Sequence, residues 1–363
     1  MTVAAAGKNH RAVTLKVVAE HAQCSIAQVS AVLNHSQGGT VVSQAKREKI
    51  QKIADELGYR PNFASQALKK NRTRTIGIYL PGSPWRSLGN AYELAIYRGI
   101  EAAATKLDYD LLIFNLLSDV SPLVCERKLE ESRCDGVILI KVGKQTDWIE
   151  RLVKRNRHLV AIEGSSMIPG LSRIAFNEEA AMRLAVTKLR EKGHTRIGFL
   201  GLGLELEEDM PRRNELFARC IRDLGCDTDD ELIFDCGKCS EKLDISMEFC
   251  QLSGKYGIRY FKNLVNPPTA LISFDSLVAL AALQEAHQCG VRIPEDMSIV
   301  GFDDYDFVSF FSPKLTVIDH GLHEMGEKAA QLLIAKIEGQ DDIPIQEVVE
   351  PGWIERETVL KKQ

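Results

Sequence analysis

The 363-residue chain has no uninterrupted run of about 18 apolar residues, so no membrane-spanning helix is expected. Its start, Met1-Thr2-Val3-Ala4-Ala5-Ala6-Gly7-Lys8, has a short apolar patch without a basic leader, so no secretory signal is expected either. The nine cysteines are odd in number and scattered, which fits free thiols in a reducing cytoplasm better than a disulfide framework. Cys236-Gly237-Lys238-Cys239 has CxxC spacing, but no second pair or nearby histidine completes a tetrahedral zinc set. No metal and no cofactor are expected. The motifs of catalysis are missing too. Leu80-Pro81-Gly82-Ser83-Pro84, after the first apolar strand, lacks the glycines that let a pyrophosphate approach the backbone. There is no P-loop and no Gly-x-Ser-x-Gly elbow. His320-x-x-His323 can share a helical face, but no acidic general base lies between them, which points to a surface or packing role. No enzyme is expected. The chain also ends soon after Trp353-Ile354-Glu355-Arg356-Glu357 without a heptad tail, so a coiled-coil tetramer is not expected.

What is present is unevenly charged. Residues 1–75 hold 12 lysines and arginines against 4 acidic residues, a net of +8, which leaves 34 against 46, a net of -12, in the remainder. A basic N-terminal module on an acidic body fits nucleic-acid binding by the small module. The length suits two or three domains. Residues 1–10 are expected to be a disordered leader, and 11–60 a DNA-binding head.

The head is read from Thr14 to Asn34. Thr14 and Ser25 are good N-caps, and Ser25-x-x-Gln28 has capping-box spacing, so a helix should start at Ile26. Val17, Val18, Ala22, Val29, Val32 and Leu33 fall at helical spacing and can close a miniature core. Ile26, Ala27, Gln28, Ser30 and Ala31 are then left to face a partner. Such a helix-turn-helix places the start of its second helix in the major groove of DNA. The alternative is a helical hairpin packed on its own domain. Ser43 should cap a third helix to Leu57, with Ile50, Ile53, Ala54 and Leu57 as its apolar stripe and Gly58 as its stop.

Val29-Ser30-x-Val32-Leu33-Asn34, Leu57-Gly58-Tyr59-Arg60-Pro61-Asn62 and Arg74-Thr75-Ile76-Gly77 make the chain resemble the LacI/GalR family of bacterial transcription regulators from Val13 to about Glu357. The resemblance implies a ligand-controlled repressor, a cytoplasmic homodimer on double-stranded operator DNA. It also implies that 61–74 forms a hinge helix and linker. There Leu68 matches an apolar side chain that wedges into the minor groove. The rival reading packs Phe63, Ala64 and Leu68 on the large domain. The expected DNA-contacting set is Thr14, Leu15, Ser25, Ile26, Ala27, Gln28, Ser30, Ala31, Asn34, Asn62, Ser65 and Leu68. Two departures from the family stand out. Ala31 replaces a guanine-binding arginine, and Gln23 replaces the glycine of the turn. Readout then leans on methyl contacts to thymine and on Gln28, whose amide can pair with adenine.

From Thr75 onward, apolar strands alternate with amphipathic helices, the pattern of α/β parallel sheets covered on both faces. Strands are expected at 75–80, 110–115, 136–140 and 159–162, then at 196–200, 232–235, 270–273 and 298–302. Helices are expected at 91–107, 178–192, 212–224 and 277–288. The two series suggest two similar subdomains, with ligands bound beyond the strand C-terminal ends. The resemblance makes 75–357 a periplasmic-binding-protein-like effector and dimerisation domain. Its first subdomain is expected at about 75–175 and 305–340, its second at about 176–304 and 341–357. Carried over residue by residue, the effector contacts are Tyr92, Glu163, Arg213, Phe274, Asp303 and Leu322, and the effector is a sugar-like metabolite. Arg213 stands four positions before Phe217, although Leu216 replaces the usual glycine. Phe274-Asp275 stands where the family has Asn-Asp. These departures keep open a second reading, a DNA-binding regulator with a degenerate pocket. The stretch 236–266 matches nothing in the family.

Overall fold

The computed structural model describes residues 13–33, 41–80, 90–114, 122–141, 146–155, 157–163, 168–201, 213–235, 247–340 and 343–362. The expected leader, Asn34, the Pro81–Pro84 turn and the CxxC pair lie outside them. Two units divide the chain at Arg74/Thr75.

The first unit consists of helices α1 (Leu15–Ala22), α2 (Ile26–Leu33), α3 (Gln44–Glu56) and α4 (Phe63–Lys70). Val18, Ala22, Val29, Val32, Ile50 and Ala54 close the core of the first three helices, joined by Ala19, Val42 and Tyr59. Val17 and Leu33, expected in that core, are only half-buried.

The second unit contains two six-stranded sheets. The first has strand order β11-β5-β4-β3-β1-β2. Its members are β1 (Thr75–Tyr79), β2 (Asp110–Phe114), β3 (Gly136–Ile140), β4 (His158–Ile162), β5 (Ser172–Phe176) and β11 (Gln346–Val349). All its pairings are parallel. The second sheet has order β12-β10-β9-β8-β6-β7. Its members are β6 (Ile197–Gly201), β7 (Ile233–Asp235), β8 (Ala270–Ser273), β9 (Ser298–Phe302), β10 (Thr316–Asp319) and β12 (Gly352–Ile354). Here, among the described residues, only β12 runs antiparallel, beside β10. Central strands are buried along their whole length, as a sheet covered on both faces requires.

The helices of this unit are α5 (Ala91–Lys106), α6 (Pro122–Glu130), α7 (Asp147–Lys154), α8 (Glu178–Glu191), α9 (Arg213–Asp223), α10 (Met247–Lys262), α11 (Ser276–Cys289) and α12 (Leu322–Ile337). Helix α8 follows β5 of the first sheet but packs on α9, β10 and β12 of the second. Helix α12 follows β10 of the second sheet but packs on α5, β3, β4 and β5 of the first. The chain therefore crosses between the subdomains at 176–178, 319–322 and 349–352. This corrects the expected boundaries. Strand β10 lies in the second subdomain rather than the first, and β11 in the first rather than the second. The reason is pairing: β10 bonds β9, while β11 bonds β5.

The 236–266 stretch acquires a place through α10, which packs on α11. A Cβ on Gly254 of α10 would lie 2.4 Å from the Val278 carbonyl oxygen. The α5–α12 crossing is built the same way. A Cβ on Gly99 would lie 1.9 Å from the His323 carbonyl oxygen, and one on Gly326 would lie 2.1 Å from that of Ile96. No rotamer change relieves a clash with backbone. Gly99→Ala and Gly326→Ala should each destabilise the protein by at least about 1–3 kcal/mol, the range for overpacking. Urea denaturation measures it, and an unchanged midpoint would mean that the two helices separate freely.

Candidate DNA-binding head and effector cleft

Local chemistry sets the head. The Thr14 hydroxyl accepts from the Val17 amide at 3.5 Å and starts α1. Gln23 ends it in a left-handed conformation, φ 56°, so the residue standing for a glycine does adopt glycine's backbone. Ser25 and Gln28 form the expected reciprocal box. The Gln28 amide donates to Ser25 Oγ at 3.2 Å, and the Ser25 amide donates to Gln28 Oε1 at 3.3 Å. Lys46 Nζ also donates to that Oε1, at 3.4 Å. The Gln28 acceptor is thus occupied. A bidentate adenine contact needs the oxygen as well as the nitrogen, so on DNA it would have to replace these two bonds. Ala31 is corrected. It is 5% exposed and buried in the head instead of facing outward. Ile26 and Ala27 are exposed as expected, as are Thr14 and Ser25, while Leu15 and Ser30 are half-buried. Ser43 begins α3 without a side-chain cap. The Asn62 side chain accepts from the Ser65 amide at 3.2 Å and starts α4, where Leu68 is 86% exposed.

In the second unit, three strand-end residues lie in the left-handed region without being glycine: Lys141 (φ 48°), Glu163 (φ 56°) and Asp303 (φ 74°). Each still donates its amide sideways to the neighbouring strand, to Ile162, Ile174 and Ile318 respectively. Such a backbone costs on the order of 1–3 kcal/mol per residue and is a mark of functional sites. All three follow the C-terminal ends of parallel strands.

Around them the structure gathers most of the expected effector residues. Glu163 is buried and its Oε1 accepts from the Phe176 amide at 2.9 Å. Burial raises its carboxyl pKa, against the pull of that bond. Tyr92 is held at the start of α5 by Asn90, whose side chain accepts the Tyr92 amide at 2.9 Å. Its ring carries Lys141 Nζ at 3.7 Å. Its hydroxyl is buried and has no hydrogen-bond partner among the described residues. Burial and the nearby Glu163 and Asp303 charges push that phenol well above its usual range. Leu322 does not join the polar group; it packs in the main core.

Arg213 and Asp303 are already engaged inside the protein. Arg213 Nε donates to Glu178, its Nη1 donates to the Phe274 carbonyl, and its guanidinium lies 4.5 Å and 4.8 Å from the Phe274 and Phe302 ring centres. Asp303 Oδ1 lies 2.6 Å from His320 Nδ1, and its Oδ2 is 3.4 Å from the Tyr305 hydroxyl. That hydroxyl donates to Asp275 at 2.8 Å, and burial together with Asp303 raises Asp275 to about 6. Burial alone would raise Glu178, but Arg213 and His320 overcome it and hold it at about 2. Sequence reasoning passed over Glu178 and set His320 aside as a surface or packing residue. The signals were present, since Glu178 follows an Asn N-cap directly after a strand and His320 directly follows another. His320 precedes α12 and so shares no helical face with His323.

Residues 14–62 match the model of bacterial regulatory proteins of the lacI family, and residues 186–359 match that of a periplasmic binding protein-like domain. The chain thus joins a lacI-family helix-turn-helix domain to a periplasmic-binding-protein-like domain. Among its relatives, the HTH-type transcriptional repressor PurR of Aliivibrio fischeri (strain MJ11) is 28% identical over 358 residues, 96% of this chain and 99% of the relative. The HTH-type transcriptional repressor CytR of Escherichia coli (strain K12) is 29% identical over 350 residues, 92% and 93% of the two chains. The fold is that of the lac repressor dimer bound to operator and the anti-inducer ONPF, with a TM-score of 0.78 at 23% identity over 96% of this chain and 100% of that one. A CelR–cellobiose complex gives 0.65 at 23% identity over 95% and 99%. With its lacI-family head, the chain is a DNA-binding transcription regulator.

The capping box generates a test of the head. Ser25→Ala should cost about 1 kcal/mol, the typical loss of an N-cap. It should appear as faster amide exchange across α1–α3, with the amides of β3 unchanged. Equal protection in the variant would show that the box is not what starts α2.

Proposed function

We propose that the chain is a repressor that binds a pseudo-palindromic operator as a homodimer, under control of a small sugar-like effector held between its two subdomains. One observation carries the reading. A basic head with a capped second helix shares its chain with an α/β body whose strand ends converge on buried polar side chains. No helix of the described residues is long and apolar enough to cross a membrane, and the proposed action on operator DNA supports a cytoplasmic location. No catalytic role is assigned to the cleft, where Arg213 is paired with Glu178 and Asp303 with His320.

In the head, exposed Ile26 and Ala27 offer methyl contacts to thymine. Thr14, Ser25, Ser30 and the amide nitrogen of Gln28 serve phosphates, which fix register without reading sequence. Helix α4 carries the minor-groove contact, with Asn62 and Ser65 at its start and Leu68 as the wedge.

In the cleft, Tyr92 and Glu163 are the groups best placed for effector hydroxyls. Arg213, Phe274 and Asp303 shape the wall around them. The CelR complex with cellobiose supports a hydroxylated ligand. One observation favours the second reading, a regulator working without a small ligand: both Arg213 and Asp303 already have internal partners. A thermal-shift screen of sugars, sugar acids and nucleobases decides between them, because a ligand of the folded state raises its melting temperature.

Two outcomes are expected of variants. Leu68→Ala should weaken binding to duplexes selected by the wild-type protein from a random pool, while sparing scrambled DNA, because a wedge stabilises only kinked sites. An equal loss on both would make Leu68 a folding residue. Glu163→Gln should weaken the best screen hit by about 1.5–3 kcal/mol and Tyr92→Phe by about 0.5–1.5 kcal/mol, the ranges for charged and neutral hydrogen bonds. Calorimetry reads both, and wild-type affinity in a folded double variant would move the effector elsewhere.

A further inference from the structure

His320 has no exposed surface and sits in the second of the three crossovers. Its ring lies over Phe176 of the first crossover, centroids 4.1 Å apart, and beside Phe302, 5.2 Å away. Its Nδ1 holds Asp303 Oδ1 at 2.6 Å. Its Nε2 lies 3.3 Å from Oε2 of Glu178 in the first crossover, an ion pair rather than an aligned hydrogen bond. The next residue, Gly321, has φ 69°, and a Cβ there would stand 2.8 Å from Val349 Cγ1 at the edge of the third crossover. The first two connections therefore meet at one buried imidazole, and the third lies against the residue that follows it.

We propose that His320 is a positioning residue for the effector response: it clamps the first two crossovers together through Glu178 and Asp303, and so sets how readily the subdomains rotate. The proposal rests on the reading that the effector binds between those subdomains. The chemistry requires a cation at this place. Glu178 and Asp303 are two buried carboxylates, and Arg213, paired with Glu178, supplies one charge. An apolar or neutral residue at 320 would leave one buried carboxylate uncompensated.

The charged groups that face the imidazole are Asp303 beyond β9, Glu178 on α8 with Arg213 of α9 behind it, and Asp319 on its own strand. Burial would lower its proton affinity, but Asp303 and Glu178 outweigh this and hold its pKa up at about 9. Folded-state pKa exceeds the unfolded value, so the clamp's contribution is complete below about pH 6.5 and is lost as pH rises through about 9.

Amide exchange of the full-length protein, with neither DNA nor effector present, tests the clamp. His320→Gln should speed exchange at least about tenfold at the amides of Phe176, Asp303 and Gly321, while those of β3 and α3 keep wild-type rates, the signature of local opening. A variant that unfolds would accelerate every amide, so the wild-type protein supplies a second measurement. Between about pH 7 and 9.5 its crossover amides should exchange faster than base catalysis accounts for, as the imidazolium discharges. Wild-type rates at the crossovers of a folded variant overturn the proposal. So does uniform acceleration in the variant with no excess in the wild type. Failure here leaves the effector reading standing, and a failed effector screen leaves the clamp standing.

Discussion

Two buried carboxylates and two buried cations, Glu178 and Asp303 with Arg213 and His320, form the constraint on which the body depends. Their balance is not a source of large net stability, because removing four charges from water offsets most of what their attraction returns. Its force lies in the alternative. Losing any one partner leaves a buried charge alone, at a cost of about 3–5 kcal/mol. The chain segments carrying these groups are thereby held to one arrangement: the start of α8, the start of α9, the end of β9 and the crossover after β10. The Phe176, Phe274 and Phe302 rings lie against the cations.

Parallel strands explain why this group forms where it does. Every strand that ends at the cleft must turn there, and the strand-end residues Lys141, Glu163 and Asp303 turn while keeping a sideways hydrogen bond. Their left-handed backbones aim polar side chains across the strand ends instead of along the sheet. The packing below is rigid enough to hold that strain. Backbone meets backbone at Gly99 and Gly326, so α5 and α12 cannot drift apart without losing close contact along the crossing.

Much of this architecture could be read from residues alone. Strands buried on both faces are continuous apolar runs, and β3, β8 and β9 were expected at the bounds observed. Caps carried the helix starts, since Thr14, Asn62, Asn90 and Asn177 each accept an amide of the first turn. What could not be read depends on long-range pairing. Strands β5, β10, β11 and β12 are short and partly polar, and only their neighbours make them strands. The subdomain boundaries failed for the same reason, because a sequence does not say which sheet a short strand will join. In the head, helical spacing left Ala31 free to face a partner, whereas the folded chain buries it. The carry-over brought Arg213 and Asp303 to the cleft but could not reveal their partners, which lie 35 residues and 17 residues away along the chain.

The head and the body thus use burial in opposite ways. The body buries charge and holds it with paired charge, so its junction has one preferred arrangement. In the head, α4 is eight residues long, with Phe63 and Leu68 exposed and only Asn62 and a left-handed Asn71 at its ends. A helix of that length is marginal in water, because two turns return few hydrogen bonds against the cost of nucleation. Its caps lower that cost without burying its apolar side chains. A surface that covers Leu68 therefore adds free energy that the isolated segment lacks, and a kinked minor groove is such a surface. On the proposed reading that Leu68 wedges into the minor groove, folding of α4 and recognition of the site become one equilibrium, in which groups that order 61–74 also raise affinity for DNA.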